Sequence, residues 1–224
     1  MKHALVTGVS SGIGAAICKK LLAQGWQVTG FSRRLPDYQH ANFTPISLDV
    51  TDTPALLTSL AGVAEVDAII HAAGIMVAAP LGEIDYQVSD NLWRLHIQVP
   101  EIIVNQLVKR LPAGGRIVLI GSRTAAGVAQ RSQYASTKSA MIGMVRSWAA
   151  ELAARGITAN IVAPAATETP MLASPERQQS LPKLPPIGRY IKVEEVAALV
   201  NFLLSDDAGA ITGQQLLICG GASL

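Results

Sequence analysis

The string Thr7-Gly8-Val9-Ser10-Ser11-Gly12-Ile13-Gly14 stands between a short apolar run and a longer amphipathic stretch. That placement limits the possible folds more than any other feature of the chain. A strand that turns through glycines into a helix offers an anion bare backbone N–H groups, the partial positive charge of the helix end, and no Cβ atoms in the way. Gly8, Ser10, Ser11, Gly12, Ile13 and Gly14 are therefore candidates for cradling a dinucleotide pyrophosphate. A second apolar run ending near Phe31 completes the strand–loop–helix–strand unit that such a reading requires.

The rest of the chain repeats this alternation. Residues 4–7, 27–31, 44–48, 67–71, 116–120, 158–162 and 215–218 read as strands. Residues 13–23, 54–60, 92–111, 133–155 and 193–204 read as helices, the third stopped by Pro112-Ala-Gly-Gly115 and the fourth by Gly156. Strands separated by helices imply right-handed crossovers and a parallel sheet. The expected fold is α/β: a Rossmann-like, doubly wound parallel sheet of about seven strands with helices on both faces. Half of the residues are hydrophobic and only 4% are aromatic, so the core must be built from small aliphatic side chains, as suits helices packed on a parallel sheet. No composition break divides the chain, and residues 1–224 read as a single domain. Residues 174–186 hold four prolines, which exclude a regular helix or central strand. A substrate flap at 171–186 is expected there.

Tyr134-Ala-Ser-Thr-Lys138 lies on the long fourth helix. Residues four apart share a helix face, so Tyr134 and Lys138 point to one place. A free phenol titrates near pH ~10, and a nearby ammonium lowers that value. Such a pair can act as general acid in a reduction and general base in an oxidation. Ser122 ends the fifth strand, at the sheet edge where open α/β sheets bind ligands, and its hydroxyl can bond a substrate oxygen. The second strand ends in Ser32-Arg33-Arg34. An acidic residue in that place would accept from the ribose 2′-hydroxyl of NAD and repel a 2′-phosphate. Two guanidinium forks suit that phosphate instead, so NADP (NADPH) is the expected cofactor, with NAD as the alternative.

Taken together, these motifs resemble the short-chain dehydrogenase/reductase family, and the resemblance spans nearly the whole chain. His71-Ala-Ala-Gly74 is similar to that family's Asn-Asn-Ala-Gly segment with both asparagines replaced, and brings Ala72, Ala73 and Gly74 to the cofactor. Asp49-Val50 resembles the pair beside the adenine. Pro164-Ala-Ala-Thr-Glu-Thr169 resembles the segment that meets the nicotinamide, which implies roles for Pro164, Thr167 and Thr169. The resemblance makes Ser122, Tyr134 and Lys138 the catalytic set and gives Lys138 the nicotinamide ribose as well. It implies an NADP-dependent oxidoreductase that moves a hydride between nicotinamide and a carbonyl or alcohol carbon of a small organic substrate, built as a homodimer or homotetramer.

Two departures, at His96 and Ser11, and one neighbour of the catalytic serine, Arg123, bear on the site. His96 falls where the family has an Asn that anchors a proton-relaying water. An imidazole there either takes over that role or packs in the helix. Ser11 stands where many NADP-selective relatives are basic. Arg123 follows the catalytic serine, and either meets an acidic group or faces solvent. The expected pocket walls are residues 75–80, 123–130 and 171–186, with Val77, Ala78, Ala79 and Val128 making them apolar. An NAD-dependent dehydrogenase of a cyclic diol and a catalytically silent cofactor-binding regulator are the competing readings. No basic stripe points to nucleic acid, the net charge being +2. No apolar run approaches the roughly 20 residues that span a bilayer. Cys18 and Cys219 form no metal-ligand spacing, no metal is expected, and a cytoplasmic location follows from this thiol usage.

Overall fold

The computed structural model describes residues 1–172 and 182–224. Among the described residues there are seven strands, β1 (His3–Thr7), β2 (Gln27–Ser32), β3 (Phe43–Ser47), β4 (Ala68–His71), β5 (Arg116–Ile120), β6 (Thr158–Pro164) and β7 (Gln215–Ile218), and six α-helices. The helices are α1 (Gly12–Ala23), α2 (Thr53–Ala61), α3 (Tyr86–Trp93), α4 (Val99–Leu107), α5 (Ser132–Leu152) and α6 (Val193–Leu203). The sheet runs β3-β2-β1-β4-β5-β6-β7, and all its pairs are parallel. The expected α/β fold of about seven parallel strands is the one observed.

Both faces of the sheet are covered, and the strands show why. Leu5, Ile69, Ile117 and Leu119 point to a core shared with Leu56 and Leu60 of α2, Ile103 and Leu107 of α4, and Met141 and Val145 of α5. Their neighbours Ala4, Val6, Ile70, Val118 and Ile120 face Ile17 and Leu21 of α1 and Val196, Val200 and Leu203 of α6. Alternate residues of a strand point to opposite faces, so strands buried on both sides read as unbroken apolar runs.

Chain order reverses between β1 and β4. From β1 the chain winds outward through β2 and β3, then returns to lay β4 on the other side, with Ala4 opposite both Val28 and Ala68. A crevice opens beyond the strand ends at this switch point, and the candidate site occupies it.

The expected helix over residues 92–111 differs most from the structure. It starts earlier, at Tyr86, because the Asp85 carboxylate accepts from the Gln87 N–H at 2.9 Å and caps the first turn. This segment buries only Leu92, so no apolar period announces it. The helix is also interrupted. Arg94–Gln98 forms a wide π-turn, in which the Val99 N–H reaches back to the Arg94 carbonyl. Pro100 has no N–H to offer the carbonyl one turn behind it, and the ladder slips by one residue. The flap expected at 171–186 falls largely on residues 173–181, outside the described residues.

Candidate active site

The glycine loop forms because two of its positions admit nothing larger. Gly8 has φ +78, and a Cβ there would lie 2.9 Å from the Ala73 nitrogen. At Gly14 a Cβ would meet the Gly8 carbonyl oxygen. The loop thus packs against its own helix on one side and against the chain leaving β4 on the other. Gly8 N–H bonds the Phe31 carbonyl at 2.7 Å, and residues 10–14 line the crevice at the start of α1, the place where a pyrophosphate cradle belongs.

Thr7, the last residue of β1, ties the crevice floor together. Its hydroxyl accepts from the Ala72 and Ala73 N–H groups, each at 3.1 Å. Its single proton therefore goes to His71 Nδ1, 3.0 Å away. That fixes the His71 tautomer: Nε2–H donates to the Leu95 carbonyl at 3.0 Å. The π-turn makes this acceptor accessible, since Val99 has turned to Arg94 and Pro100 carries no proton. Burial is the main force pushing the His71 pKa down to about 3, and the Lys138 charge adds to it.

His96 sits inside the π-turn and is fully buried. The Thr137 hydroxyl donates to the Tyr134 carbonyl at 3.0 Å, so it accepts from His96 Nδ1–H at 2.9 Å. His96 Nε2 then accepts from the Ile75 N–H at 3.3 Å. Both ring nitrogens are occupied by protein partners. Burial first, then the charges of Lys138 and His71, hold the His96 pKa far below the usual histidine range. The ring meets Tyr134 edge-on, with centroids 5.6 Å apart.

Ser122 caps a 3-10 turn, Arg123–Ala126, directly after β5, and its Oγ accepts from the Thr124 N–H at 3.1 Å. Tyr134 is on the first turn of α5, and Lys138 follows one turn later, with its Nζ 5.7 Å from the Tyr134 ring centroid. Lys138 is buried, and Nζ donates to the Ile120 carbonyl at 2.9 Å. Desolvation pushes its pKa down from 10.5 to about 7.

One cavity of about 940 Å³ runs through the crevice. Its walls include every residue expected from the sequence to bind cofactor or act in catalysis: Gly8, Ser10, Ser11, Gly12, Ile13, Gly14, Ser32, Arg33, Arg34, Asp49, Val50, Ala72, Ala73, Gly74, His96, Ser122, Tyr134, Lys138, Pro164, Thr167 and Thr169. At the far end, Asp49 accepts from the Thr51 N–H and hydroxyl at 2.9 and 2.7 Å. Burial alone would raise its pKa, but these bonds and the Arg33 charge outweigh it and hold the carboxyl below its usual value. A cavity of this volume, lined by the glycine loop after β1 and by the guanidinium groups after β2, fits a phosphorylated dinucleotide.

The substrate side differs from expectation. Residues 77–80 and 125–130 are not part of the cavity wall. Ala79 N–H instead bonds the Gln130 carbonyl at 2.8 Å, which joins the two segments to each other outside it. Of the expected walls, Ile75, Met76, Arg123, Thr124, Met171, Leu172 and Pro182 do line the cavity, and Asn91, Arg94 and Arg131 join them. Asn91, Arg94 and Arg131 escaped the sequence reading because α3, the π-turn and the residue before α5 carry no motif. No group of acidic, histidine or cysteine side chains among the described residues is arranged to hold a metal, and no described helix is long and apolar enough to cross a membrane.

A Rossmann-like sheet with a Tyr–Lys pair beside a dinucleotide-sized crevice defines a class of nucleotide-dependent oxidoreductases. The family model described as enoyl-(acyl carrier protein) reductase matches residues 8–223. The 3-oxoacyl-[acyl-carrier-protein] reductase FabG of Salmonella typhimurium is 36% identical over 240 residues, covering 98% of this chain and 96% of that protein. The L-xylulose reductase of Bos taurus is 33% identical over 235 residues, with the same coverage. A short-chain dehydrogenase family protein from Francisella tularensis superposes with a TM-score of 0.90 at 28% identity, covering 99% of this chain and 98% of that one. A blue fluorescent protein from a metagenomic library, solved in complex with NADPH, superposes with a TM-score of 0.88 at 31% identity, covering 100% and 98%. The chain belongs to the short-chain dehydrogenase/reductase family and is an oxidoreductase acting on CH–OH groups.

Proposed function

We propose that this protein is an NADPH-dependent reductase of a small carbonyl substrate, with Tyr134 as the proton donor. The observation that carries the reading is the convergence on one cavity of the glycine loop, Ser32-Arg33-Arg34, Ser122, Tyr134 and Lys138. The 2′-phosphate would meet Arg33 and Arg34, which are exposed at the end of β2. The NADPH bound by the structural relative supports the same choice.

NADPH, when bound, supplies the hydride. Ser122 and Tyr134 bind the substrate oxygen and polarise the carbonyl. Tyr134 gives up its proton as negative charge builds on that oxygen. Lys138 stabilises the resulting phenolate and meets the ribose hydroxyls. Its ammonium is held by the Ile120 carbonyl at 2.9 Å; bound ribose hydroxyls would compete with that partner. His96 acts as a positioning residue: it joins the loop after β4 to α5 through Ile75 and Thr137 and relays no proton to the substrate. A homodimer or homotetramer in the cytoplasm completes this reading, with residues 1–224 as one domain.

The test is consumption of NADPH with a panel of small ketones, by wild type and Tyr134→Phe. Wild type turns over at least one of them. Tyr134→Phe lowers kcat by about 10²–10⁴-fold while binding NADPH as before. Equal rates in the two proteins would remove Tyr134 from the mechanism, and tight NADPH binding without any turnover would favour a regulatory protein.

A further inference from the structure

The cavity is far more cationic than the chain. Five arginines and Lys138 line it, against one carboxylate, Asp49, among the described residues, while the whole chain carries a net charge of only +2. The cofactor accounts for part of this excess. Arg33 and Arg34 follow β2, and the glycine loop follows β1, so the 2′-phosphate and pyrophosphate belong to that half of the crevice. Arg94, Arg123 and Arg131 lie on the other side of the switch point, in the π-turn, directly after β5 and directly before α5. Each is one to three residues from Ser122, Tyr134 or His96.

Among the described residues, these three guanidinium groups have no carboxylate partner. The two ion pairs among the described residues are Lys2–Asp206 and Arg189–Glu195, and no carboxylate among the described residues lies within 4 Å of Arg94, Arg123 or Arg131. Arg123 and Arg131 are half-buried. Burial is the largest influence holding the Arg131 pKa below its usual value; Tyr134 opposes it and the Arg123 charge adds to it. Arg131 is thus within electrostatic reach of both Arg123 and the phenol. Two half-buried like charges beside a reactive centre cost stability unless something anionic is bound between them.

We propose that the substrate is a short-chain oxo acid whose carboxylate is held by Arg123 and Arg131, with Arg94 at the rim. This rests on the reductase reading and adds the substrate class to it. The planar forks of arginine match a carboxylate with paired hydrogen bonds. Arg123 adjoins Ser122 in sequence, and Arg131 stands one helical turn before Tyr134, so the carboxylate sits a few carbons from the reacting carbonyl. Ile75, Met76, Leu95, Met171 and Leu172 add apolar wall beside these arginines, which suits the few carbons between the carboxylate and the carbonyl.

Two measurements test the proposal. Initial rates with NADPH are compared for levulinate and its methyl ester, in wild type and in Arg123→Gln, Arg131→Gln and Arg131→Lys. Independently of turnover, calorimetry compares valerate with valeramide on the NADPH-saturated protein. A charge-assisted bond predicts a preference of about tenfold to hundredfold for the anion, read in KM and Kd. Arg131→Gln collapses the acid-to-ester ratio toward one, Arg131→Lys restores part of it, and added salt shrinks it. Equal affinity for valerate and valeramide, or a ratio unchanged in both glutamine variants, overturns the proposal. Reduction of the ester as efficiently as the acid would leave the reductase standing without the anion site. Arginine-dependent valerate binding with no reduction of either ketone would leave the anion site standing without the reductase.

Discussion

Replacing Lys138 by Met should make the cofactor-free protein more stable while abolishing its chemistry. The Lys138 side chain is buried, and among the described residues its Nζ bonds the Ile120 carbonyl at 2.9 Å and meets the Met141 sulfur at 4.0 Å. Its pKa falls from 10.5 to about 7. At about 1.36 kcal/mol per pH unit, that difference corresponds to roughly 4–5 kcal/mol of desolvation cost in the charged form. Loss of the hydrogen bond to Ile120 takes back about 1 kcal/mol, and imperfect repacking of the Met takes back about 1 kcal/mol more. A net gain of about 1–3 kcal/mol at pH 7 is expected. The sign of the pH dependence follows from proton counting. Between pH 7 and 10.5 the unfolded chain holds the proton and the folded chain does not, so wild-type stability rises with pH across that window. The variant lacks this rise, and its advantage shrinks by roughly 2 kcal/mol from pH 7 to pH 9. Urea unfolding of both proteins at equal concentration and at both pH values measures this. A variant less stable than wild type at pH 7, with a gap independent of pH, would refute the idea that the fold bears a desolvated amine for the sake of its site.

Three further outcomes follow from the same geometry. Thr7→Val keeps the shape of the side chain but leaves the Ala72 and Ala73 N–H groups and His71 without their partner; a loss of about 2–4 kcal/mol by denaturant unfolding, together with weaker NADPH binding, is expected. His96→Ala keeps measurable turnover, and its kcat profile shows the same acid limb as wild type, because a histidine held far below its usual pKa does not titrate there; loss of activity as complete as in Tyr134→Phe would contradict this. Its acid unfolding is also shallower. Folded His71 and His96 stay neutral where the unfolded chain protonates near pH 6.5, so stability falls as pH drops from 6.5 toward the His71 value of about 3, and removing one histidine removes about 1.36 kcal/mol per pH unit from that slope. Arg33→Ala combined with Arg34→Ala lowers the NADPH-to-NADH ratio of kcat/KM by about tenfold or more; an unchanged ratio would mean that the β2 end does not read the 2′-phosphate.

The parts of the fold visible in the sequence are those whose cause is local. The glycine loop is dictated by contacts within residues 7–14 and with the chain after β4, and the buried strands announce themselves as apolar runs. The Tyr134–Lys138 pair follows from helical spacing alone. The parts that escaped are held by distant partners. His71 bonds Thr7 and Leu95, and His96 bonds Thr137; these pairs are 64, 24 and 41 residues apart, and no spacing rule connects them. The first turn of α3 is set by one cap and almost no burial, so hydrophobic periodicity started the helix late. Pro100 was readable as a helix breaker, yet its effect is a slipped ladder rather than a break, which depends on neighbouring α5 and β4 supplying new partners. Arg94 and Arg131 entered the cavity through that slip and through the position of α5.

The π-turn also sets what kind of mutation can reshape this enzyme. A regular helix advances about 100° per residue, and Arg94–Gln98 contains one residue more than a regular turn would hold. Substitutions along α3 change the chemistry of its inner face but leave its phase alone. Deleting a single residue from the turn would instead rotate everything before it by that angle, carrying Asn91 and Arg94 away from the cavity and bringing outward-facing positions in. Length variation of one residue, rather than replacement, is the edit by which evolution or design would exchange one whole substrate-facing surface for another.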